Sequence, residues 1–258
     1  MEYLEYERKD KVAVITLNNP KQANALVQEI KEGLADLFTR IQFDPTVRSV
    51  MIRSNGKHFS AGGDLSSMRS ESSCPDGRDR MRGASAWVKA LYALEKPVVA
   101  AVQGCAYGAG FSLALASDFI VAEKEARFCC SFINVGLVPD LGSLYFLPRR
   151  IGLGKAKDLV YNGRVLTADE AEQWGVADYV TDKEQLYDTA MELAQKLAER
   201  PTYAIGMMKK LTQFSYHTTL DAYLELENNM QAIAFQTEDH KQLVKQFFDK
   251  TPATLTGR

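Results

Sequence analysis

The stretch from Lys96 to Asp118, KPVVAAVQGCAYGAGFSLALASD, does most to limit what this chain can become. Val98 to Val102 form an unbroken apolar run behind Pro97, which suits a strand buried on both faces. Gly104, Gly108 and Gly110 then punctuate a turn, and Phe111 to Ala116 have the composition of a buried helix. A glycine turn ending at the amino end of a helix gathers free backbone N–H groups and the positive end of a helix dipole. Such a place can bind an anion, or stabilise one that develops during a reaction.

Three familiar glycine readings fail. The spacing is not G-x-G-x-x-G, no Gly-Lys-Ser/Thr follows for a phosphate loop, and no acid sits at the ribose-reading distance after a first strand. Gly110-Phe111-Ser112-Leu113-Ala114 has a faint look of a nucleophile elbow, but Ser112 lies inside the helix run rather than at a sharp turn. An ordinary hydrogen-bonded helix serine is the better reading.

With 258 residues the chain can bury a full core, as one large domain or a domain with an appendage. A net charge of −2 argues against a nucleic-acid or membrane surface as the main partner, leaving small molecules and proteins. The start, MEYLEYERKDK, lacks the apolar stretch of a signal peptide, and no later apolar run reaches membrane-spanning length, so a cytoplasmic protein is expected. Cys74, Cys105, Cys129 and Cys130 show no metal-ligand spacing and read as reduced, packed thiols. His58, His217 and His240 are too scattered to suggest a metal cluster or a triad.

Taken in order, residues 2–8 and 11–17 read as a hairpin turning at Lys9-Asp10. A helix is expected from about Asn24, with Leu26, Ile30, Leu34, Leu37, Phe38 and Ile41 on one stripe, closed by Asp44-Pro45. Val47 to Arg53 form the next strand, which leads into a second glycine turn at His58-Phe-Ser-Ala-Gly-Gly-Asp-Leu65. Residues 66–83 are polar with little apolar periodicity and read as a flap. A helix with Trp87, Val88, Leu91 and Leu94 leads back to the central stretch. Phe119 to Ala122 and Ala126 to Ser131 are short strands, and Asn134 to Gly142 form a loop entering another helix. Thr167 and Glu170 make a capping box for a helix that Gly175 stops. Asp182 and Gln185 suggest a further helix start, with Leu186, Ala190, Leu193, Ala194 and Leu197 inward. From Pro201 onward only helices are expected. No repeat of solenoid type and no long linker interrupts this order, but the β-β-α rhythm recurs.

The paired glycine turns, Phe59-Ser-Ala-Gly-Gly-Asp64 and Gly104-Cys-Ala-Tyr-Gly-Ala-Gly110, resemble the signatures of the crotonase family, the enoyl-CoA hydratases and isomerases. Supporting matches span nearly the whole chain: Leu17-Asn-Asn-Pro-Lys21 with Asn24-Ala-Leu26, Lys96 to Val102, Ala126-Arg-Phe128, Gly136-Leu-Val-Pro-Asp140, and the ending Phe247-Phe-Asp-Lys250 with Thr256-Gly-Arg258. The order and spacing of these matches make the likeness specific. It implies an α/β fold, a spiral of repeated β-β-α units over residues 1–200, with a C-terminal helical region, residues 201–258, that packs between subunits of a homotrimer or hexamer. It implies an acyl-CoA thioester as the substrate, with coenzyme A arriving as part of it and no separate cofactor.

In that family two backbone N–H groups bind the thioester oxygen as it becomes an enolate, and the matching residues here are Gly63 and Ala109. Small side chains allow the close approach that backbone donors need. The resemblance also assigns the CoA nucleotide to the backbone around Lys21, Gln22 and Ala23 and to the carbonyl of Ala61. Lys250 would reach its phosphate, in its own or a neighbouring subunit, unless it is simply a solvated lysine at a helix end. Asp64 reads as a turn-ordering residue.

The family's hydratases use two glutamates, and Ser112 and Phe132 stand at those positions. Neither side chain can hold and deprotonate a water as a carboxylate does. Asp140 lies where several family isomerases carry their acidic residue, and one base reaching both carbons suffices to move a double bond. Apolar walls such as Phe132 would raise its pKa and keep out water. A helix N-cap is the alternative role for Asp140. Aromatic dehalogenation is disfavoured, because Ser85 and Phe132 replace the histidine and tryptophan that the family's dehalogenases share. The expected function is therefore an enoyl-CoA isomerase. A hydratase or other lyase of the same family is the alternative, followed by a non-catalytic acyl-CoA-binding subunit. Tyr107, Tyr145 and Phe132 are candidates for the acyl pocket or for the core.

Overall fold

The computed structural model describes residues 2–64 and 74–257. Strands β1 (Leu4–Lys9) and β2 (Val12–Leu17) form the expected hairpin, with Asp10 in the left-handed conformation at its turn. Strands β3 (Ser49–Ser54), β4 (Val98–Val102), β6 (Phe119–Glu123) and β9 (Tyr179–Thr181) continue from β2 as successive parallel neighbours, giving a six-stranded sheet in the order β1-β2-β3-β4-β6-β9. A parallel sheet covered on both faces needs continuous apolar strands. VAVITL, SVMIRS and VVAAV meet that need, with every residue of β2 and β4 buried.

A second, three-stranded sheet holds β5 (Cys105–Tyr107), β7 (Arg127–Cys129) and β8 (Val165–Thr167). Single bridges extend it, Ser60 to Ala106 and Leu26 to Gly63. Each turn of the chain thus supplies one segment to the first sheet and the next to the second, as β4 then β5 and β6 then β7. That alternation is the β-β-α spiral, and it stacks the two glycine turns in one layer.

Helices close the faces: α1 (Gln28–Phe43), α2 (Cys74–Ala84), α3 (Ala86–Ala93), α4 (Ala109–Leu115), α5 (Ser143–Ile151), α6 (Leu153–Asn162), α7 (Ala168–Trp174) and α8 (Leu186–Ala198). One core cluster joins Ile15, Ile52 and Ala100 to the α1 residues Ile30, Leu34 and Phe38 and to Phe111. A second places Val14, Met51, Val99 and Val121 against Leu186, Ala190, Met191 and Ala194 of α8. The capping box at Thr167 and Glu170 forms, and Gly175 ends α7 with φ 83°. The chain finishes in α9 (Thr202–Ser215), α10 (Leu220–Ala234) and α11 (Glu238–Asp249). Among the described residues no helix is long and apolar enough to cross a membrane.

Several sequence expectations need correction. Helix α1 starts at Gln28 rather than near Asn24, because the buried Asn24 is used otherwise. Its amide donates to the carbonyls of Asn55 and His58, its Oδ1 accepts the Asn19 N–H, and its backbone turns left-handed. Leu26, placed on the helical stripe, is instead the strand-like partner of Gly63. Of the expected flap, residues 66–73 lie outside the described residues, whereas 74–84 are helical despite a polar composition. Residues 126–131 are strand only over Arg127–Cys129 and then enter a 3₁₀ turn, Ser131–Val135. The expected helix start at Asp182 is a 3₁₀ turn, Lys183–Gln185, before α8, and the Asp182 side chain pairs with Lys124 at 2.7 Å instead of capping.

Candidate active site

The two glycine turns meet. The Ser60 carbonyl accepts the Tyr107 N–H, and a Cβ added to Gly62 would lie 2.7 Å from the Tyr107 carbonyl and 3.4 Å from the Ala109 nitrogen. Gly62 has φ +104° and Gly108 has φ +49°, so both turns use backbone that side chains rarely adopt. Gly110 permits the same contact one turn further on, since a Cβ there would meet Ser60 at 2.6 Å. Gly63 follows one turn, and Ala109 is the first residue of α4, where an N–H has no partner within its own helix. The two expected oxyanion donors therefore sit on adjoining turns. The dipole of α4 favours negative charge at that end.

The candidate nucleotide segment is joined to this point. Pro20–Gln22 form a 3₁₀ turn with Lys21 and Gln22 exposed, and the Ala61 N–H donates to the Ala23 carbonyl at 2.9 Å. Ala23 and Ala61 are thus joined, with Lys21 and Gln22 just before Ala23 in the chain. Lys250 ends α11 in the left-handed conformation, with its ammonium 5.1 Å from the centre of the Phe247 ring. Within the single chain it is a helix-end lysine.

Asp140 does not cap α5, whose N-cap is Gly142 without a side-chain bond. Its Oδ1 is buried and has no hydrogen-bond partner among the described residues. Burial raises the carboxyl pKa, and the Lys31 cation opposes that rise. Lys31 in turn is lowered by its own burial and by Arg80, while Asp140 and Asp64 hold it up. Lys31, Asp64 and Arg80 line a cavity of about 410 Å³ beside Gln22 and Leu26. Lys31 carried no signal in sequence, because only the packing of α1 brings it near the acid.

The positions of the missing glutamates are closed. Ser112 is fully buried on α4, and its hydroxyl is engaged by Ser143 Oγ at 2.6 Å and by the carbonyls of Gly108 and Asp140, both at 3.2 Å. Phe132 is 7% exposed, and its ring tip lies 3.8 Å from where a Gly108 Cβ would be. An apolar ring and a sealed serine therefore flank the donors, and the Ser112 hydroxyl ties the backbone carbonyl of Asp140 to the same helix. Tyr145 hydrogen-bonds to Tyr92 at 2.6 Å and to His217 at 2.8 Å, in a separate cavity of about 520 Å³ at the far end of α4.

A family model described as enoyl-CoA hydratase/isomerase matches residues 7–258. The chain belongs to that family. This family member is 35% identical to the 1,2-epoxyphenylacetyl-CoA isomerase of Escherichia coli (strain K12) over the whole of both chains. It is 31% identical to the crotonyl-CoA hydratase of Syntrophomonas wolfei, over 98% of this chain and 97% of that one. A solved enoyl-CoA hydratase from Bacillus anthracis superposes with a TM-score of 0.93 at 29% identity, covering 99% of this chain and all of the other. This crotonase-type protein is thus an acyl-CoA enzyme.

Proposed function

We propose that this crotonase-type enzyme is an enoyl-CoA isomerase that shifts a double bond from the 3 to the 2 position. The observation that carries the reading is the partly buried Asp140 carboxylate, whose Oδ1 is buried with no hydrogen-bond partner among the described residues, while both hydratase positions lack a carboxylate. The carboxylate takes a proton from C2, and the C2–H electron pair forms the C1=C2 bond of an enolate whose oxygen accepts from the N–H groups of Gly63 and Ala109. The dienolate then takes the same proton back at C4, leaving the double bond between C2 and C3. One donor of this kind is worth about 3 kcal/mol in the transition state.

Shuttling one proton between two carbons requires a base that keeps it and a site that excludes water. The buried Phe132 and the committed Ser112 hydroxyl favour that over placing a water. Relatives bearing isomerase and hydratase names both support acyl-CoA chemistry, so the reading rests on the site. Lys21, Gln22, Ala23 and Ala61 hold the CoA nucleotide in this reading, with Lys250 on its phosphate.

Purified protein and an Asp140→Asn variant are given trans-3-enoyl-CoA and, separately, trans-2-enoyl-CoA, with the conjugated thioester followed by absorbance. Absorbance gained from the first substrate and lost in the variant is expected. Loss of absorbance from the second would replace the isomerase by a hydratase. Silence from both, with CoA thioesters still binding, would replace it by a binding subunit or an untested acyl group.

A further inference from the structure

Asp140 is followed by two consecutive left-handed residues, Leu141 at φ +51° and Gly142 at φ +85°. A leucine in that conformation persists only where its surroundings hold it. Here Leu141 is buried, and three groups converge on the carbonyl just before it. The Asp140 carbonyl accepts from the Ser143 N–H at 3.1 Å, and lies 3.1 Å from Ser143 Oγ and 3.2 Å from Ser112 Oγ. The two hydroxyls are 2.6 Å apart, and both serines are fully buried.

Proton counting shows how the cluster is satisfied. Burial pushes the neighbouring Cys130 thiol up to about 12, so it stays protonated. One arrangement has Ser143 giving its proton to Ser112, which donates to the Asp140 or Gly108 carbonyl. In the other, Ser112 donates to Ser143, which donates to the Asp140 carbonyl. Either way each hydroxyl is spent inside the protein, and Ser112 is anchored one turn beyond Ala109 on α4.

We propose that Ser112 and Ser143 are positioning residues that clamp the Asp140–Gly142 turn to α4, fixing the distance between the base and the Ala109 oxyanion donor. This rests on the reading of Asp140 as the base. The serine at the lost-glutamate position thus acts through another residue and does not touch the substrate. A base held loosely would still bind substrate alongside it, but would pass the proton between carbons less faithfully and admit solvent exchange.

The test compares wild type, Ser112→Ala and Ser143→Ala in turnover of trans-3-enoyl-CoA in H₂O and in D₂O, beside thioester binding. Each alanine variant is expected to lower kcat on the order of tenfold, the equivalent of one buried hydrogen bond, with KM and thioester affinity near wild type. Deuterium in the product should rise relative to wild type. A fall in kcat without that rise would mark a merely structural role and overturn the proposal, as would unchanged kcat and deuterium content. Should the alanine variants fail to bind thioester, Ser112→Thr and Ser143→Thr, which keep the hydroxyls, decide: near wild-type turnover supports the clamp, and loss like alanine's overturns it. Asp140→Asn retaining isomerisation would sink the underlying reading, whereas an inactive Asp140→Asn beside wild-type serine variants would sink this inference alone.

Discussion

Gly62 is held on three sides, so replacing it tests whether the two turns work as one device. Its carbonyl accepts the Leu26 N–H at 2.7 Å, its N–H donates to Ser60 Oγ at 3.2 Å, and its absent Cβ would sit 2.7 Å from the Tyr107 carbonyl. Gly62→Ala must then accept a left-handed alanine, costing about 1–2 kcal/mol, and an overpacked contact costing about 1–3 kcal/mol. The clashing atom is backbone and cannot rotate away, so the relief comes from moving residues 61–63 away from residues 107–109. The Gly63 N–H moves with them. Loss of one oxyanion donor lowers kcat by about 10²–10³-fold.

Gly152→Ala is the matched control. Gly152 has a similar φ of +79°, but nothing lies within 4 Å of its Cβ position, and it joins α5 to α6. It carries the backbone cost without the clash. Thermal unfolding and isomerisation of trans-3-enoyl-CoA, measured on both variants, should show both destabilised and only Gly62→Ala catalytically crippled. Wild-type kcat in a folded Gly62→Ala protein would refute the coupling of the two turns.

The raised pKa of Asp140 predicts that kcat/KM rises with pH through a limb above the ordinary carboxylate range, and that Lys31→Met, which removes the opposing cation, moves the limb higher. The same shift has a stability sign: the folded state binds the Asp140 proton more tightly, so its contribution is present below the unfolded pKa and lost as pH rises through the folded one. Asp140→Asn should therefore melt higher than wild type at neutral pH, with the advantage vanishing in acid. Asp239 accepts the N–H groups of Thr256 and Gly257 and pairs with the buried Arg48 at 3.8 Å, so Asp239→Ala should cost about 3–5 kcal/mol in denaturant melts and release amide protection at the chain end. Intact protein should sediment as a trimer or hexamer, with the exposed Leu220, Leu224, Phe247 and Phe248 of the last helices in the contact, and a monomer at micromolar concentration would contradict that expectation.

The features legible in the sequence are those fixed by neighbours along the chain. The apolar run Val98–Val102, the helix stripe of Ile30, Leu34, Phe38 and Ile41, and the capping box at Thr167 each satisfy their own periodicity or local hydrogen bonds. Two short strands of the second sheet, β5 and β8, were hidden, because CAY and VLT are too brief to show an alternation, and Cys105 to Tyr107 lie within a glycine-rich turn. Asn24 misleads for the opposite reason: its polar, helix-compatible neighbourhood conceals three hydrogen bonds to residues 19, 55 and 58.

The same distinction separates the two halves of the candidate site. Oxyanion donors are backbone groups, and the glycines needed to expose them are written into the chain at Gly62, Gly63, Gly104, Gly108 and Gly110. The proposed base is a side chain whose usefulness depends on what surrounds it, and its setting comes from elsewhere in the chain: Lys31 of α1 acts on the carboxyl, and Ser112 of α4 holds the Asp140 carbonyl. A motif can therefore announce where an enolate would be held long before it says which proton moves. Hydratase and isomerase would share every glycine here and differ only in whether the space beside the enolate holds a water between two carboxylates or a single dry one. In this chain Ser112 and Phe132 fill the first arrangement with a spent hydroxyl and a ring, and the buried Oδ1 of Asp140 remains for the second.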